Sequence, residues 1–297
     1  MSKIRIGVDL GGTKIRAVAI QSEPELTILA DTKASTPQGD GYQAVLETIC
    51  TLVSDVEKSA GTSVTTVGIG TPGVIDRSSN LLKNSNTLCL NGNPIRNDLV
   101  RMLGKEVIIE NDANCFAVAE DQLGAAKGSS LSFGIIMGTG VGGGLVVNGK
   151  PRFGLQGIGG EWGHNILEPD GAPCYCGKRG CVEMVIGGPA LEDYYFSLTG
   201  ARRTLSEIRE LSISGDDAGA RTMERLFEKF GHSISVLINI LDPDCIVIGG
   251  GLSNIPELYT EGVARAKPYI FNSTPVLNVK KNLLGDSAGV FGAAMLT

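Results

Sequence analysis

Residues 4–20 read IRIGVDLGGTKIRAVAI, and how this stretch folds decides the architecture. Ile4 to Val8 has the composition of a buried strand. Asp9-Leu10-Gly11-Gly12-Thr13-Lys14 is a turn, and Ile15 to Ile20 is a second strand. Strand, glycine turn and strand predict a β-hairpin, not a strand–loop–helix unit. The theme returns about 130 residues later: Leu131 to Met137 is an apolar strand, Gly138-Thr139-Gly140-Val141-Gly142-Gly143-Gly144 a glycine turn, and Leu145 to Val147 the next strand. The two hairpins share too little identity to prove duplication. Their common plan predicts two related α/β domains, each opening with a hairpin.

Between and after the hairpins the pattern alternates. Tyr42, Val45, Leu46, Ile49, Leu52, Val53 and Val56 fall at helical spacing within 41–60. Strands are predicted at 64–69, at Val107-Ile108-Ile109 and at Cys245 to Ile248, the last ended by Gly249-Gly250-Gly251. A helical stretch follows from about Ala113 to Leu123, 186–205 mixes turn and helix, and 216–241 reads as a long amphipathic helix stopped by Asp242-Pro243. The end looks like a helix with Asp286 as its N-cap.

With 297 residues, 42% hydrophobic and 20% charged, the chain is too apolar for disorder and long enough for two domains. No apolar run approaches the ~20 residues of a membrane helix. The start, Met1-Ser2-Lys3-Ile4-Arg5-Ile6, lacks the apolar segment of a signal peptide. A net charge of −6 opposes non-specific nucleic-acid binding. Seven cysteines, an odd number, argue against a disulfide framework and make a reducing cytoplasm the expected compartment. Cys50, Cys89, Cys115 and Cys245 lie among apolar neighbours and are expected to be small buried residues.

Gly68 to Gly73 and Gly138 to Gly143 both match G-x-G-x-x-G. Neither leads into a helix, as a dinucleotide fingerprint requires: Pro72 and the turn Asp76-Arg77-Ser78-Ser79-Asn80 follow the first, and a strand follows the second. No G-x-x-x-x-G-K-[ST] is present. Opposed hairpins can instead offer rows of backbone N–H groups to a triphosphate. The candidate nucleotide residues are Gly11, Gly12, Thr13 and Lys14 of the first turn, Gly138, Thr139 and Gly140 of the second, and Gly250 and Gly251. Asp9, at a strand end, is placed to face a phosphate-bound Mg²⁺ through water.

His164, Cys174, Cys176 and Cys181 have the spacing H-x9-C-x-C-x4-C. Four such ligands suffice for a closed tetrahedral Zn²⁺ site, structural because no position stays open. His232, inside the long helix, reads as a packed residue. Glu161 and Glu183 flank the metal loop, which would hold them near one another. Paired carboxylates with an amide suit a polyol. Glycoside hydrolysis also uses two carboxylates, but nothing in it calls for triphosphate loops.

Taken together, Asp9-Leu-Gly-Gly-Thr-Lys14, Glu110-Asn-Asp-Ala-Asn114, the 138–144 turn, Glu161-Trp-Gly-His164, Cys174 through Glu183 and Asp242 through Gly251 resemble the ROK family (repressors, open reading frames, kinases) over essentially the whole chain. The resemblance implies an actin-like ATPase (ribonuclease H-like) fold of two α/β domains with the site in the interdomain cleft. Residues 1–117 plus 286–297 would form the N-terminal domain, and 118–285 a larger one with the zinc loop at 161–183. Family kinases move the ATP γ-phosphate to a sugar hydroxyl, usually the 6-OH of a hexose. By position Asp112 resembles the catalytic base, and Asn111, Glu161, His164 and Glu183 match residues that hold sugar hydroxyls. Asn86 and Gly73 sit in a segment that commonly lines the sugar pocket. His164 would place one ring nitrogen on zinc and turn the other to the sugar. Taken alone, Asp112 also reads as an N-cap. A homodimer, and closure of the cleft on sugar, are further implications.

The segments 82–94 and 161–165 look most like fructokinases and mannokinases, which makes fructose, mannose or glucose the expected substrate. N-acetylglucosamine kinases share Asp-Ala-Asn-Cys-Phe-Ala and Gly-Gly-Gly-Leu-Ser-Asn, so the amino sugar is the alternative. The family's repressors carry a helix-turn-helix before the kinase-like part, for which a strand beginning at Ile4 leaves no room. A catalytically dead sugar sensor is disfavoured by the presence of Asp112.

Overall fold

In the computed structural model, residues 3–76 and 78–297 are described. Met1 and Ser2, and Arg77 of the turn expected after Gly73, lie outside the described residues. The opening hairpin forms as its sequence requires. Strand β1 (Ile4–Leu10) pairs antiparallel with β2 (Lys14–Gln21), setting Asp9 opposite Arg16. Next come β3 (Thr27–Ser35), α1 (Tyr42–Ser59), β4 (Thr66–Thr71), the short strands β5 (Val74–Ile75) and β6 (Leu82–Lys83), α2 (Ile95–Leu103), β7 (Glu106–Asn111) and α3 (Asp112–Gln122). The first sheet has the order β3-β2-β1-β4-β7. Its hairpin half is antiparallel, and β4 and β7 add parallel to β1 through helical crossovers.

The second half repeats the plan: β8 (Leu131–Met137), β9 (Val141–Val147), β10 (Lys150–Pro151), α4 (Glu183–Ile186), α5 (Gly188–Thr199), α6 (Leu205–Ile213), α7 (Asp217–Leu241), β11 (Cys245–Gly249), α8 (Glu261–Ala266), β12 (Val279–Lys281) and α9 (Ala288–Met295). Its sheet runs β10-β9-β8-β11-β12. The chain divides into two compact units. One comprises Met1–Ser130, Gly144–Gly159 and Leu283–Thr297, and the other Leu131–Gly143 and Gly160–Asn282. Among the described residues no helix is long and apolar enough to cross a membrane.

In the first unit, Ile6, Val8 and Leu10 of β1 point to one face. There they meet Val67 and Ile69 of β4 and the α1 residues Val45, Leu46, Ile49, Leu52, Val53 and Val56. Full burial of each such side chain is worth about 1.5–3 kcal/mol. The opposite face is built differently, because α9 lies directly on the backbone of the sheet. A Cβ at Gly68 would come 1.8 Å from the Ala293 carbonyl oxygen, and one at Gly292 of α9 would come 1.7 Å from that of Cys115 in α3. The segment leading into α9 is also tied to α3. The fully buried Glu120 carboxylate accepts the N–H groups of Leu284 (2.9 Å), Leu283 (3.1 Å) and Ala125 (2.9 Å).

The structure corrects several local expectations. The second glycine turn spans only 138–140, and Gly142, Gly143 and Gly144 belong to β9, where Gly143 lies against the Phe133 ring. Asp286 is not an N-cap. Residues Gly285–Ser287 form a 3₁₀ turn, Ser287 precedes α9 without a side-chain cap, and its hydroxyl instead accepts from the Arg16 guanidinium at 2.9 Å. The N-cap of α3 is Asn111, whose side chain accepts from the Asn114 N–H at 2.7 Å, so Asp112 opens the helix proper. Cys115 and Cys245 are buried as expected, whereas Cys50 and Cys89 are half-buried. His232 is a packed residue, stacked on Tyr269 with ring centroids 4.7 Å apart. Because α9 leaves no room for a methyl group at its crossing with α3, Gly292→Ala should lower stability by at least ~2 kcal/mol. Urea unfolding midpoints measure this.

Candidate active site and metal centre

Asp9 ends β1, and the turn after it is held tightly. The Gly11 carbonyl accepts from the Thr36 hydroxyl at 2.7 Å, the Gly12 carbonyl from the Gln38 amide at 2.6 Å, and the Thr13 carbonyl from the Thr36 N–H at 3.0 Å. Gly11 closes the turn by donating its N–H to the Lys14 carbonyl at 3.0 Å, which leaves Gly12 and Thr13 as its candidate amide donors for a ligand. Lys14 begins β2. The Asp9 carboxyl is pushed up to about 6, first by burial and next by the like charge of Asp112, against Lys14 and Arg16. The first turn of α9 is close by: a Cβ at Gly289 would lie 3.4 Å from that carboxylate.

Asp112 stands where β7 becomes α3. Although the residue is open to solvent, desolvation by the surrounding protein raises its pKa, opposed by the Ala113 N–H that its carboxylate accepts at 2.8 Å. The turn is braced by Glu110, which accepts from the Asn111 N–H and the Asn114 side-chain amide, both at 2.9 Å. Asn86 belongs to a loop fastened by the Ser85–Asn91 pair of hydrogen bonds, at 2.9 and 2.8 Å. Its Oδ1 approaches the Cβ position of Gly12 to 3.7 Å. Gly73 (φ +88°) packs against the Lys83 carbonyl. The first unit therefore brings Asp9 into the field of Asp112 and Asn86 to the glycine turn.

In the second unit the Gly138 N–H donates to the Gly140 carbonyl at 2.9 Å, with Thr139 at the tip. The N–H of Gly251 comes 3.9 Å from the Cβ position of Gly138, so the Gly250–Gly251 turn lies alongside. Glu183, first residue of α4, accepts the Val141 N–H at 2.9 Å. One of its oxygens is thus committed to the glycine turn, which spacing along the chain did not reveal.

The donor atoms of His164, Cys174, Cys176 and Cys181 all lie within 4.8 Å of one another. Cys176 Sγ and Cys181 Sγ are 3.6 Å apart, as are Cys174 Sγ and His164 Nδ1. A tetrahedral ion with ~2.3 Å bonds to sulfur sets its thiolates about 3.8 Å apart, so the cluster fits such an ion. Burial first, and then the neighbouring thiols, push Cys181 up to about 12, a cost that a dication reverses. Gly177 and Gly180 both take positive φ, and at Gly180 any Cβ would strike the Glu168 carbonyl. His164 directs Nε2 away from the thiols. That nitrogen lies 2.9 Å from the Tyr175 hydroxyl and 4.0 Å from a Glu161 carboxylate oxygen. Desolvation of its hydroxyl against the cluster, then the charges of Glu183 and Glu161, push the Tyr175 phenol up to about 12, although the side chain as a whole is exposed. Trp162 anchors this turn by donating to the Ser233 carbonyl at 3.2 Å.

A family model described as ROK family matches residues 5–297. The chain belongs to the ROK family. Its two sheets are those of the actin-like ATPase fold shared by its structural neighbours. Among curated ROK relatives it is similar to an N-acetyl-D-glucosamine kinase of Haemophilus influenzae (strain 86-028NP), 37% identical over 301 residues covering 98% of each chain. Among solved structures it is similar to a ROK hexokinase from Thermus thermophilus, with 33% identity, a TM-score of 0.89, and 99% and 97% of the two chains covered. A second is a ROK family glucokinase from Streptomyces griseus in complex with glucose and AMPPNP, with 30% identity, a TM-score of 0.76 and 99% of each chain covered.

Folded Asp9 holds its proton more tightly than the unfolded chain does. Its ionised form therefore costs stability that is absent below pH 3.8, grows as pH rises and is complete above about 6. Without nucleotide or metal, Asp9→Asn should stabilise the protein near pH 7.5 by up to ~3 kcal/mol. The gain should shrink as pH falls toward about 4, as thermal melts across that range will record.

Proposed function

We propose that this chain transfers the γ-phosphoryl group of ATP to the 6-hydroxyl of a hexose (fructose, mannose or glucose), with Asp112 as general base. The kinase class follows from the family and from curated relatives covering 98% of the chain: it is a sugar kinase, an ATP-dependent phosphotransferase. The observation that carries the base assignment is Asp112 itself. It is a solvent-reachable carboxylate fixed at the first residue of α3, whose pKa is raised by the protein around it and whose charge acts on a second carboxylate, Asp9. Phosphoryl transfer mostly needs alignment and charge neutralisation, with a carboxylate to accept the hydroxyl proton.

In this reading Asn86, Asn111, Glu161, His164 and Glu183, with the backbone at Gly73, hold the sugar. Gly12, Thr13, Thr139, Gly140, Gly250 and Gly251, with the Lys14 side chain, hold the nucleotide, while Gly11 and Gly138, whose N–H groups close their turns on the Lys14 and Gly140 carbonyls, let the phosphates approach the backbone closely. Asp9 would hold Mg²⁺ through water, and that ion supplies charge neutralisation on the phosphates. His164, Cys174, Cys176 and Cys181 would hold a structural Zn²⁺ that stiffens 161–183. A cytoplasmic homodimer completes the proposal, supported by the seven free cysteines and by the family.

A second reading has a specific observation behind it. Curated relatives at 34–37% identity are named N-acetyl-D-glucosamine kinases, whereas solved neighbours at 33% and 30% are named hexokinase and glucokinase. N-acetylglucosamine is therefore the competing acceptor. ADP release measured with glucose, fructose, mannose and N-acetylglucosamine decides between them, since an acetamido group changes kcat/KM through pocket shape. Release with none of the four would overturn the kinase reading.

Asp112→Asn should lower kcat by ~10²-fold or more while sugar still binds by calorimetry. Undiminished turnover would remove Asp112 from the base role. Metal analysis should find about one zinc per chain, and chelation should speed amide exchange across 161–183 and weaken sugar binding.

A further inference from the structure

Tyr175 lies between two cysteines of the metal cluster and is 82% exposed. Its hydroxyl nevertheless stands 2.9 Å from Nε2 of His164. Its ring meets the imidazole edge to face, with centroids 5.1 Å apart at 88°. The other ring nitrogen faces Cys174 Sγ at 3.6 Å. Once Nδ1 is given to a metal, Nε2 carries the ring proton and donates it to the phenol oxygen. The backbone of Tyr175 is held on both sides by the knuckle, whose Gly177 N–H returns to the Cys174 carbonyl at 3.0 Å. An exposed ring on a fixed backbone has a short route to another rotamer, because little packing opposes its departure.

We propose that Tyr175 sets the sugar affinity of this protein: its hydroxyl occupies Nε2 of His164 in the resting state, and a sugar hydroxyl binds by displacing it. This rests on His164 being a sugar-holding residue, as proposed above. The exchange replaces one neutral hydrogen bond by another. His164 therefore contributes less to affinity than its geometry alone would give, and its N–H never stands bare when the site is empty. The energetic role of Tyr175 is to keep that donor satisfied and to raise the sugar concentration needed to claim it.

Tyr175→Phe keeps the ring and deletes the oxygen. The calorimetric Kd and the KM for the accepted sugar should both fall roughly three- to tenfold, the range of one neutral hydrogen bond. The effect should be confined to KM, with kcat moving less than about twofold. Zinc content should stay as in the wild type. An unchanged KM overturns the proposal, and a raised KM overturns it by showing that the phenol touches the sugar instead.

A second readout is independent of turnover. The chain has only two histidines, so the ¹⁵N spectrum of its imidazoles is simple, and His232→Asn assigns it. Tyr175→Phe should shift the His164 Nε2 resonance without sugar, and saturating sugar should shift it in the wild type. A chain that phosphorylates a sugar while this resonance stays fixed overturns the role of Tyr175 alone. A chain that phosphorylates none of the four sugars overturns the kinase reading, and the role of Tyr175 falls with it.

Discussion

The first unit is organised around a helix with very little side chain. Its α9 sequence, AGVFGAAM, lets the helix rest on the sheet and on α3 at distances no methyl group would survive. Dispersion and exclusion of water act over this contact with backbone atoms on both sides, and it is as unforgiving of added volume as any packed core. It also fixes the spacing of the chemistry. Asp9 ends the strand beneath α9, and Asp112 opens the helix beside it. The approach of these two acids raises the pKa of Asp9 in the absence of a cation. Two carboxylates are therefore held within each other's field, an arrangement that a cation bound between them would relieve.

The second unit solves its positioning problem with sulfur and glycine. Four candidate ligand atoms from residues 164–181 gather within one small sphere, and Glu183, two residues beyond the last thiol, reaches back to the N–H of Val141. The knuckle and the second glycine turn are thus mechanically linked through a single carboxylate. Loosening the knuckle would be felt at Gly138–Gly140, although these segments lie far apart in sequence.

Much of this was legible from residue pattern. The hairpins of β1–β2 and β8–β9, helix α7 and the metal-ligand spacing are local signals, in which periodicity or residue type determines the outcome within a few positions. What escaped were features decided at long range. Edge strand β3, with its polar surface, and the short strand β12 form because a neighbouring strand offers them partners. Gly142 to Gly144 read as turn because glycine favours turns, yet they extend as strand, and at Gly143 and Gly144 Phe133 and the α3 backbone demand bare Cα atoms. Asp286 had the chemistry of a cap, but Arg16 recruited Ser287 instead. Asn111 and Asp112 exchanged roles by one residue, which matters because the capping task freed the aspartate. Tyr175 gave a faint signal, being an aromatic set between two cysteines, and only the fold shows which nitrogen it touches.

The first unit is assembled from three separate stretches of chain, the last being Leu283–Thr297. During synthesis the ribosome must emit the whole of Gly160–Asn282 before α9 emerges. At ~5–20 residues per second, the groove awaiting α9 stays open for on the order of ten seconds. Throughout that interval the Glu120 carboxylate has no Leu283 or Leu284 amide to accept, and the glycine-lined backbone of β1 and β4 faces water. The nascent protein therefore spends that time with its earliest-made part still lacking its last helix, a vectorial order that leaves this part within reach of chaperones and proteases.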